Sequence, residues 1–334
     1  MQATNIEWAD WTWNPVRGCS RISPGCMNCY AELDMARKNS NPKVPGCHGY
    51  AEFRIIGNRR EAHWTGKVKL IESKLLEPLS WRRKALRFAQ EHGHKPRVFV
   101  NSMSDLFHER LPDKAIDRIM AVAALCPQMN FLFLTKRAER MERYLNTEFL
   151  SNRIFQEMID LTPGEGVWAW GGWKEMFAHV WLGVSVEDQK RADERIPHLL
   201  RTPAAVRFLS VEPMLEEIRL RQEWATYKMC YACGSSGFVS CDHWRGIDWV
   251  ICGGESGPGA RPFDLAWARS LRDQCKAAGV AFFMKQAGGK PEETVIAPSD
   301  GHKWQRAMPL KDKKGGDPAE WPEDLRVQEV PECR

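Results

Sequence analysis

The chain has 334 residues, 43% hydrophobic and 27% charged, which suffices for one large core and suits a single α/β barrel with insertions. No run approaches the roughly 18 consecutive apolar residues of a membrane span, and Met1–Glu7 lacks the basic and apolar regions of a secretory signal. A soluble cytoplasmic protein with no membrane partner is expected, and the formal charge of +5 leans weakly towards anionic partners.

Eleven cysteines without an export signal point to metal or redox chemistry rather than disulfides. The first cluster is Cys19, Cys26 and Cys29, within Asn14-Pro15-Val16-Arg17-Gly18-Cys19 and Cys26-Met27-Asn28-Cys29-Tyr30-Ala31. Three close thiols with no fourth at ligand spacing suit a metal centre that keeps one coordination position open. A zinc site using the same thiols with His48 or a solvent ligand is the alternative. Trp8, Trp11 and Trp13 precede the triplet and are expected to pack an N-terminal strand. Further on, Trp81-Arg82-Arg83-Lys84 and His94-Lys95-Pro96-Arg97 form a basic stretch with an aromatic, either a phosphate contact or a solvated helix face.

Short apolar runs rich in β-branched and aromatic residues then recur at Val98–Val100, Phe131–Leu134, Val180–Val186, Val206–Val211, Trp249–Cys252 and Val280–Met284. Segments long enough for crossover helices separate most of them, such as Pro112–Leu125, Val186–Leu200 and Leu265–Ala278. The pattern predicts a parallel sheet covered on both faces, in a partial or complete TIM-like (β/α) barrel over residues 1–290.

Each run leads into polar residues. Ser102, Ser104 and Asp105 follow the first, Lys136 the second, Ser185 and Glu187 the third, and Ser210 and Glu212 the fourth. Gly253-Gly254-Glu255 follows the fifth and Lys285 the sixth. Parallel strand ends share one face, where ligand sites form. Lys136 and Lys285 are candidates for binding a carboxylate or phosphate, and Glu187 and Glu212 for ribose hydroxyls or a substrate amine. Asp105 and His108 are candidates for positioning substrate or exchanging protons. Gly253 and Gly254 also suit a tight turn, and Arg261 in the following loop suits an anion.

Two insertions interrupt the alternation. Residues 141–178 include Trp168, Trp170 and Trp173 in a glycine-rich run, candidates for stacking on a base. Residues 222–246 include Cys230, Cys233, Cys241 and His243, whose spacing suits a closed structural Zn2+ site. The polar extension 291–334 is expected to wrap the body through Trp304 and Trp321.

Beyond this reading, the triplet segment, Ser104-Asp105-Leu106-Phe107-His108 and Leu134-Thr135-Lys136 resemble the motifs of the spore photoproduct lyase-like branch of radical S-adenosylmethionine enzymes. Nearly the whole chain is similar to phage- and prophage-associated three-cysteine-motif proteins, a family of largely unassigned function. The matching stretches are Val98–His108, Phe131–Met141, Trp181–Glu187, Arg207–Pro213, Ile247–Arg261 and Phe282–Gln286. The resemblance implies a [4Fe–4S] cluster on Cys19, Cys26 and Cys29, with S-adenosylmethionine at the open iron. It further implies cofactor contacts from Ser102, Ser104, Lys136, Ser185, Ser210 and Glu255, Gly253-Gly254-Glu255 at the methionine amino group, and Tyr30 packing near adenine. The chain departs from the radical-enzyme pattern in two places: six residues separate Cys19 from Cys26 where three are usual, and Asn28 stands where an aromatic is common.

The expected function is radical chemistry on a nucleic-acid base or nucleotide, in a bacterial host or phage-infected cell. A flavodoxin or ferredoxin would serve as electron donor, with a three-Cys-motif partner protein. The alternative is a metal-stabilised nucleic-acid-binding or adaptor protein without radical chemistry.

Overall fold

The computed structural model describes residues 2–41, 47–163, 176–226, 246–257, 259–296 and 301–331. Cys230, Cys233, Cys241 and His243, together with Trp168, Trp170 and Trp173, lie outside the described residues. No described helix is long and apolar enough to cross a membrane. The chain forms two compact units, one of residues 1–182 and 202–205, the other of 183–201 and 206–334.

The first unit begins with β1 (Gln2–Ala3) antiparallel to β2 (Trp11–Trp13). In β2, Trp11 and Trp13 are buried and Thr12 between them is only partly so, the period-two pattern of a strand with one face in the core. The Trp13 ring meets Phe131 edge-on at 5.8 Å while its indole N–H donates to Lys74 O at 2.8 Å, so burial leaves no orphaned donor. Next come β3 (Val16–Arg17), α1 (Tyr30–Asn39), a hairpin of β4 (Ala51–Ile56) and β5 (Arg59–Trp64), and β6 (Lys69–Leu70), which pairs with β3.

Helices α2 (Glu72–Leu75) and α3 (Arg82–His92) lead to β7 (Arg97–Val100). The last turn of α3 closes on Gly93, whose φ of +76° is the left-handed stop that a Cβ disfavours. Arg83, Lys84 and Arg87 are exposed on α3, as either reading of this basic stretch requires, while Ala85 is buried. Helix α4 (Asp113–Ala124), buried through Ile116, Ile119, Met120 and Val122, carries the chain to β8 (Asn130–Thr135). Helices α5 (Ala138–Leu145) and α6 (Leu150–Leu161) precede β9 (Val180–Ser185), within which the division between units falls.

The second unit contains α7 (Gln189–Leu200), β10 (Val206–Val211), α8 (Gln222–Thr226), β11 (Trp249–Gly253), β12 (Phe263–Asp264), α9 (Leu265–Ala278) and β13 (Ala281–Gln286). Asp188 and Asp264 cap α7 and α9, their carboxylates accepting the Arg191 and Ala266 N–H groups. Strand β14 (Pro291–Ile296) pairs with β12 and with β15 (Lys303–Ala307). In the extension Trp321 is buried and donates to Gly315 O at 2.8 Å, whereas Trp304 is 45% exposed. Only Trp321, then, anchors the tail in the way expected of both.

The principal sheet has the order β1-β2-β7-β8-β9-β10-β11-β13 and contains seven parallel strands. Every parallel strand lies beside its predecessor in this sheet, as in the wall of a (β/α) barrel, and the order does not reverse as in a doubly wound sheet.

Candidate metal centre

The cysteine loop starts where β3 ends. Gly18 has φ +90° and forms a parallel bridge with Ser104; a Cβ on it would lie 1.8 Å from Lys67 O. Only glycine fits this turn, which releases the chain into Cys19. Cys26 ends a short 3₁₀ turn over Pro24–Cys26, and its Sγ lies 3.8 Å from Ser23 Oγ. Cys29 is the N-cap residue of α1, and the Ala31 and Glu32 N–H groups near its sulfur favour the thiolate without a regular side-chain cap bond. A thiolate there is favoured by otherwise unsatisfied helix N–H groups.

All three cysteines are half-buried. Burial pushes the Cys19 thiol up to about 12, with the Asp105 charge adding and Arg137 opposing. Burial also raises Cys29, against the helix N–H groups and the Lys136 ammonium. Cys29 acts electrostatically on Cys19, and Cys26 on Cys29, so each thiol is within electrostatic reach of the next. Without a metal Cys19 and Cys29 rest as thiols, and a bound cation would take the place of their protons. Among the described residues, no group of three or more His, Cys, Asp or Glu side chains is arranged to hold a metal ion.

Two carboxylates brace the loop. Glu32 is buried; its Oε1 accepts the Trp64 N–H at 2.7 Å and its Oε2 accepts Arg21 Nε at 2.7 Å. Arg21 Nη2 also donates to Ala62 O at 2.7 Å, tying the loop to α1 and to the β4–β5 hairpin. Asp105, also buried, accepts the Phe107 N–H at 3.0 Å and Thr135 Oγ1 at 2.7 Å on Oδ1. Its Oδ2 accepts the Lys136 N–H and Arg137 Nη1, each at 3.1 Å. Four donors commit this carboxylate to joining the ends of β7 and β8.

Arg137 continues from Asp105 to the cysteine loop, with Nη1 3.8 Å from Cys19 Sγ and Nη2 2.9 Å from Ser20 Oγ. His108 accepts the Arg110 N–H on Nδ1 at 3.1 Å, so Nε2 carries the hydrogen and donates to Ser20 Oγ at 2.9 Å. Burial, helped by Arg137, lowers His108 to about 4, and burial lowers His179 of the same unit to about 4.

Both histidines are therefore neutral in the folded chain at pH 7, while in the unfolded chain they titrate near the ordinary value of about 6.5. Between those values the unfolded chain binds more protons, so stability is full above about 6.5 and falls as pH drops towards 4. Each histidine should withdraw about 2 kcal/mol between pH 7 and 4.5. Urea unfolding across this range should show a flatter pH slope in His179→Gln than in the parent, and equal slopes would contradict the assignment.

Asn101, at the end of β7, was not singled out by sequence reasoning. It is buried with φ +60°, an unusual conformation for a residue other than glycine. Its Oδ1 accepts the Val16 N–H at 3.2 Å, which fixes the amide's orientation, and Nδ2 then has no hydrogen-bond partner among the described residues. A buried donor left over beside the cysteine loop is what an acceptor-bearing ligand could satisfy. Ser104 Oγ donates to Val16 O at 3.0 Å, Ser102 Oγ to Asn14 Oδ1 at 3.1 Å, and Tyr30 Oη to Ser102 O at 2.6 Å. These hydroxyls position backbone around the loop, and Tyr30 itself is 57% exposed. Arg137 was also missed, although it directly follows Thr135-Lys136.

The remaining candidates belong to the second unit. Glu187 is buried against Arg195 at 2.8 Å, and the same guanidinium donates to Ser185 O at 2.8 Å. Ser210 is buried on β10. Glu212 pairs with Lys285 at 2.5 Å. Glu255 holds Arg261 through both oxygens, at 2.7 and 3.0 Å, so the arginine read as an anion ligand is engaged by its own loop. Gly254 packs so closely that a Cβ would meet Ala287 O at 2.6 Å, and a Cβ on Gly253 would meet Gln286 at 3.2 Å.

A family model described as "Protein of unknown function (DUF5131)" matches residues 3–316. The chain belongs to this family. The match covers the whole cysteine loop, both carboxylate braces and every strand of the principal sheet but the first residue of β1. No curated protein and no solved structure matches the chain.

Proposed function

We propose that the chain is a radical S-adenosylmethionine enzyme in which Cys19, Cys26 and Cys29 hold a [4Fe–4S] cluster. The observation that supports this reading is a set of three free, half-buried thiols on one braced loop, electrostatically coupled in sequence, with Arg137 against Cys19 and Lys136 acting on Cys29. When bound, such a cluster supplies the electron for reductive cleavage of the S-adenosylmethionine sulfonium, whose 5′-deoxyadenosyl fragment abstracts hydrogen from an unactivated C–H bond. The donor set suits this role: three thiolates leave one iron without a protein ligand, and nearby cations offset their charge.

Around the loop, this chain's own groups would bind and orient. The Lys136 ammonium forms no ion pair among the described residues and can take a carboxylate. Asn101 Nδ2 is a buried donor with no acceptor among the described residues. Ser185, Glu187, Ser210, Glu212, Gly253, Gly254, Glu255, Arg261 and Lys285 are proposed, from their place after apolar runs in the sequence, as candidates for binding cofactor or substrate. By the resemblance of its motifs, the proposed substrate is a nucleic-acid base or nucleotide, with reducing equivalents from a flavodoxin or ferredoxin and a three-Cys-motif protein as partner. A structural Zn2+ on Cys230, Cys233, Cys241 and His243 is proposed on spacing alone.

The test is anaerobic reconstitution, iron and sulfide analysis, and incubation of the reduced protein with S-adenosylmethionine. The parent should release 5′-deoxyadenosine, and Cys26→Ala should fall to background with loss of iron. A parent protein that stays colourless and iron-free sinks the cluster. A loaded, reduced parent that releases no 5′-deoxyadenosine favours the binding or adaptor protein instead.

A further inference from the structure

A guanidinium has five N–H donors, and Arg137 uses all of them. Nε donates to both Glu109 oxygens, at 2.8 and 3.0 Å. Nη1 donates to Asp105 Oδ2 at 3.1 Å and to Cys19 Sγ at 3.8 Å. Nη2 donates to Ser20 O at 3.3 Å and Ser20 Oγ at 2.9 Å. The side chain is 4% exposed, so it cannot turn away from Cys19 without breaking several bonds inside the protein. Its place beside this one sulfur is held by the fold.

We propose that Arg137 is a positioning residue that raises the reduction potential of a cluster held by Cys19, by donating a charged hydrogen bond to that thiolate. The inference rests on the cluster reading above. Reduction brings one electron from a low-potential flavin or iron–sulfur donor and breaks no bond at Arg137. It adds negative charge to the cluster and its thiolates, and a buried cation with an N–H on the sulfur stabilises that charge more than water would. Asp105 and Glu109 act in the opposite sense. Asp105 is buried, whereas the Glu109 side chain is 61% exposed and its charge is better screened.

The signs make a test that general disruption cannot mimic. The reconstituted full chain is titrated with dithionite and redox mediators, and the reduced cluster is followed by electron paramagnetic resonance. In Arg137→Gln the ratio of reduced to oxidised cluster at a fixed solution potential should fall about tenfold, a shift of about 59 mV for one electron. In Glu109→Gln, which removes a carboxylate and keeps the guanidinium, the ratio should rise by a smaller factor. Equal ratios in Arg137→Gln and the parent overturn the inference, as do shifts of the same sign in both variants. Should Arg137→Gln fail to hold iron, Glu109→Gln decides: a rise supports the inference, and no change or a fall overturns it. A parent chain that binds no iron or sulfide overturns the cluster reading and this inference together, and that result is visible before any potential is measured.

Discussion

Asp105→Ala is expected to destabilise the folded chain by about 3–5 kcal/mol, the usual cost of removing one partner from a buried ion pair. The loss has two parts. The Arg137 guanidinium, 4% exposed, would lose its buried counter-charge and keep only Glu109 at the surface. The Phe107 and Lys136 N–H groups and the Thr135 hydroxyl would lose their acceptor inside the protein. Asp105→Asn should cost less, since one amide oxygen still serves the Oδ1 side. Urea unfolding of both variants at pH 7 tests the ranking, and a loss below about 1 kcal/mol for the alanine variant would contradict the brace assigned to Asp105.

Gly18→Ala should be nearly as costly, about 3 kcal/mol or more, because two penalties coincide there. The backbone stands at φ +90°, and the new Cβ would fall 1.8 Å from Lys67 O, a main-chain atom that cannot swing aside. Gly57→Ala supplies the comparison: its φ is +59°, but a Cβ there meets nothing within 4 Å, so only the conformational penalty of about 1 kcal/mol applies. The Gly18 change should also displace the next residue. Alkylation of Cys19, slow in the parent because burial holds its thiol at about 12, should quicken in Gly18→Ala and not in Gly57→Ala.

The parallel strands after β2 were legible because each is a largely continuous apolar run that is mostly buried. Val206–Val211 is found with the bounds read from sequence, and Val98–Val100 and Phe131–Leu134 extend by one residue at one or both ends. The β4–β5 hairpin was not legible. Ala51, Phe53 and Ile55 do alternate with Glu52 and Arg54, but the run is too short and charged to read as a strand; its tip, with Ile55 73% exposed, is held by backbone pairing rather than a core. At the site, the cysteines stood out by type and spacing. Arg137 did not, because an arginine after Thr135-Lys136 reads as surface charge until Asp105 from the adjacent strand end is placed against it. Asn101 is similar: its interest lies in an unmatched amide and a positive φ, and neither leaves a trace in residue order.

The Glu32 clamp bears on the long gap between Cys19 and Cys26. One carboxylate fastens the first turn of α1, Arg21 beyond Cys19 and the backbone of Trp64. A six-residue gap would ordinarily be a tether whose wandering must be stopped whenever something binds. Here Arg21, two residues past Cys19, is fastened to the start of α1, so the segment between them is closed into a loop during folding and part of the conformational entropy of ordering it is lost before a ligand arrives. The longer spacing thereby becomes compatible with tight capture, and the weak point of the cradle shifts from the gap to the carboxylate: Glu32→Gln should loosen the loop at the Arg21 end while every cysteine remains.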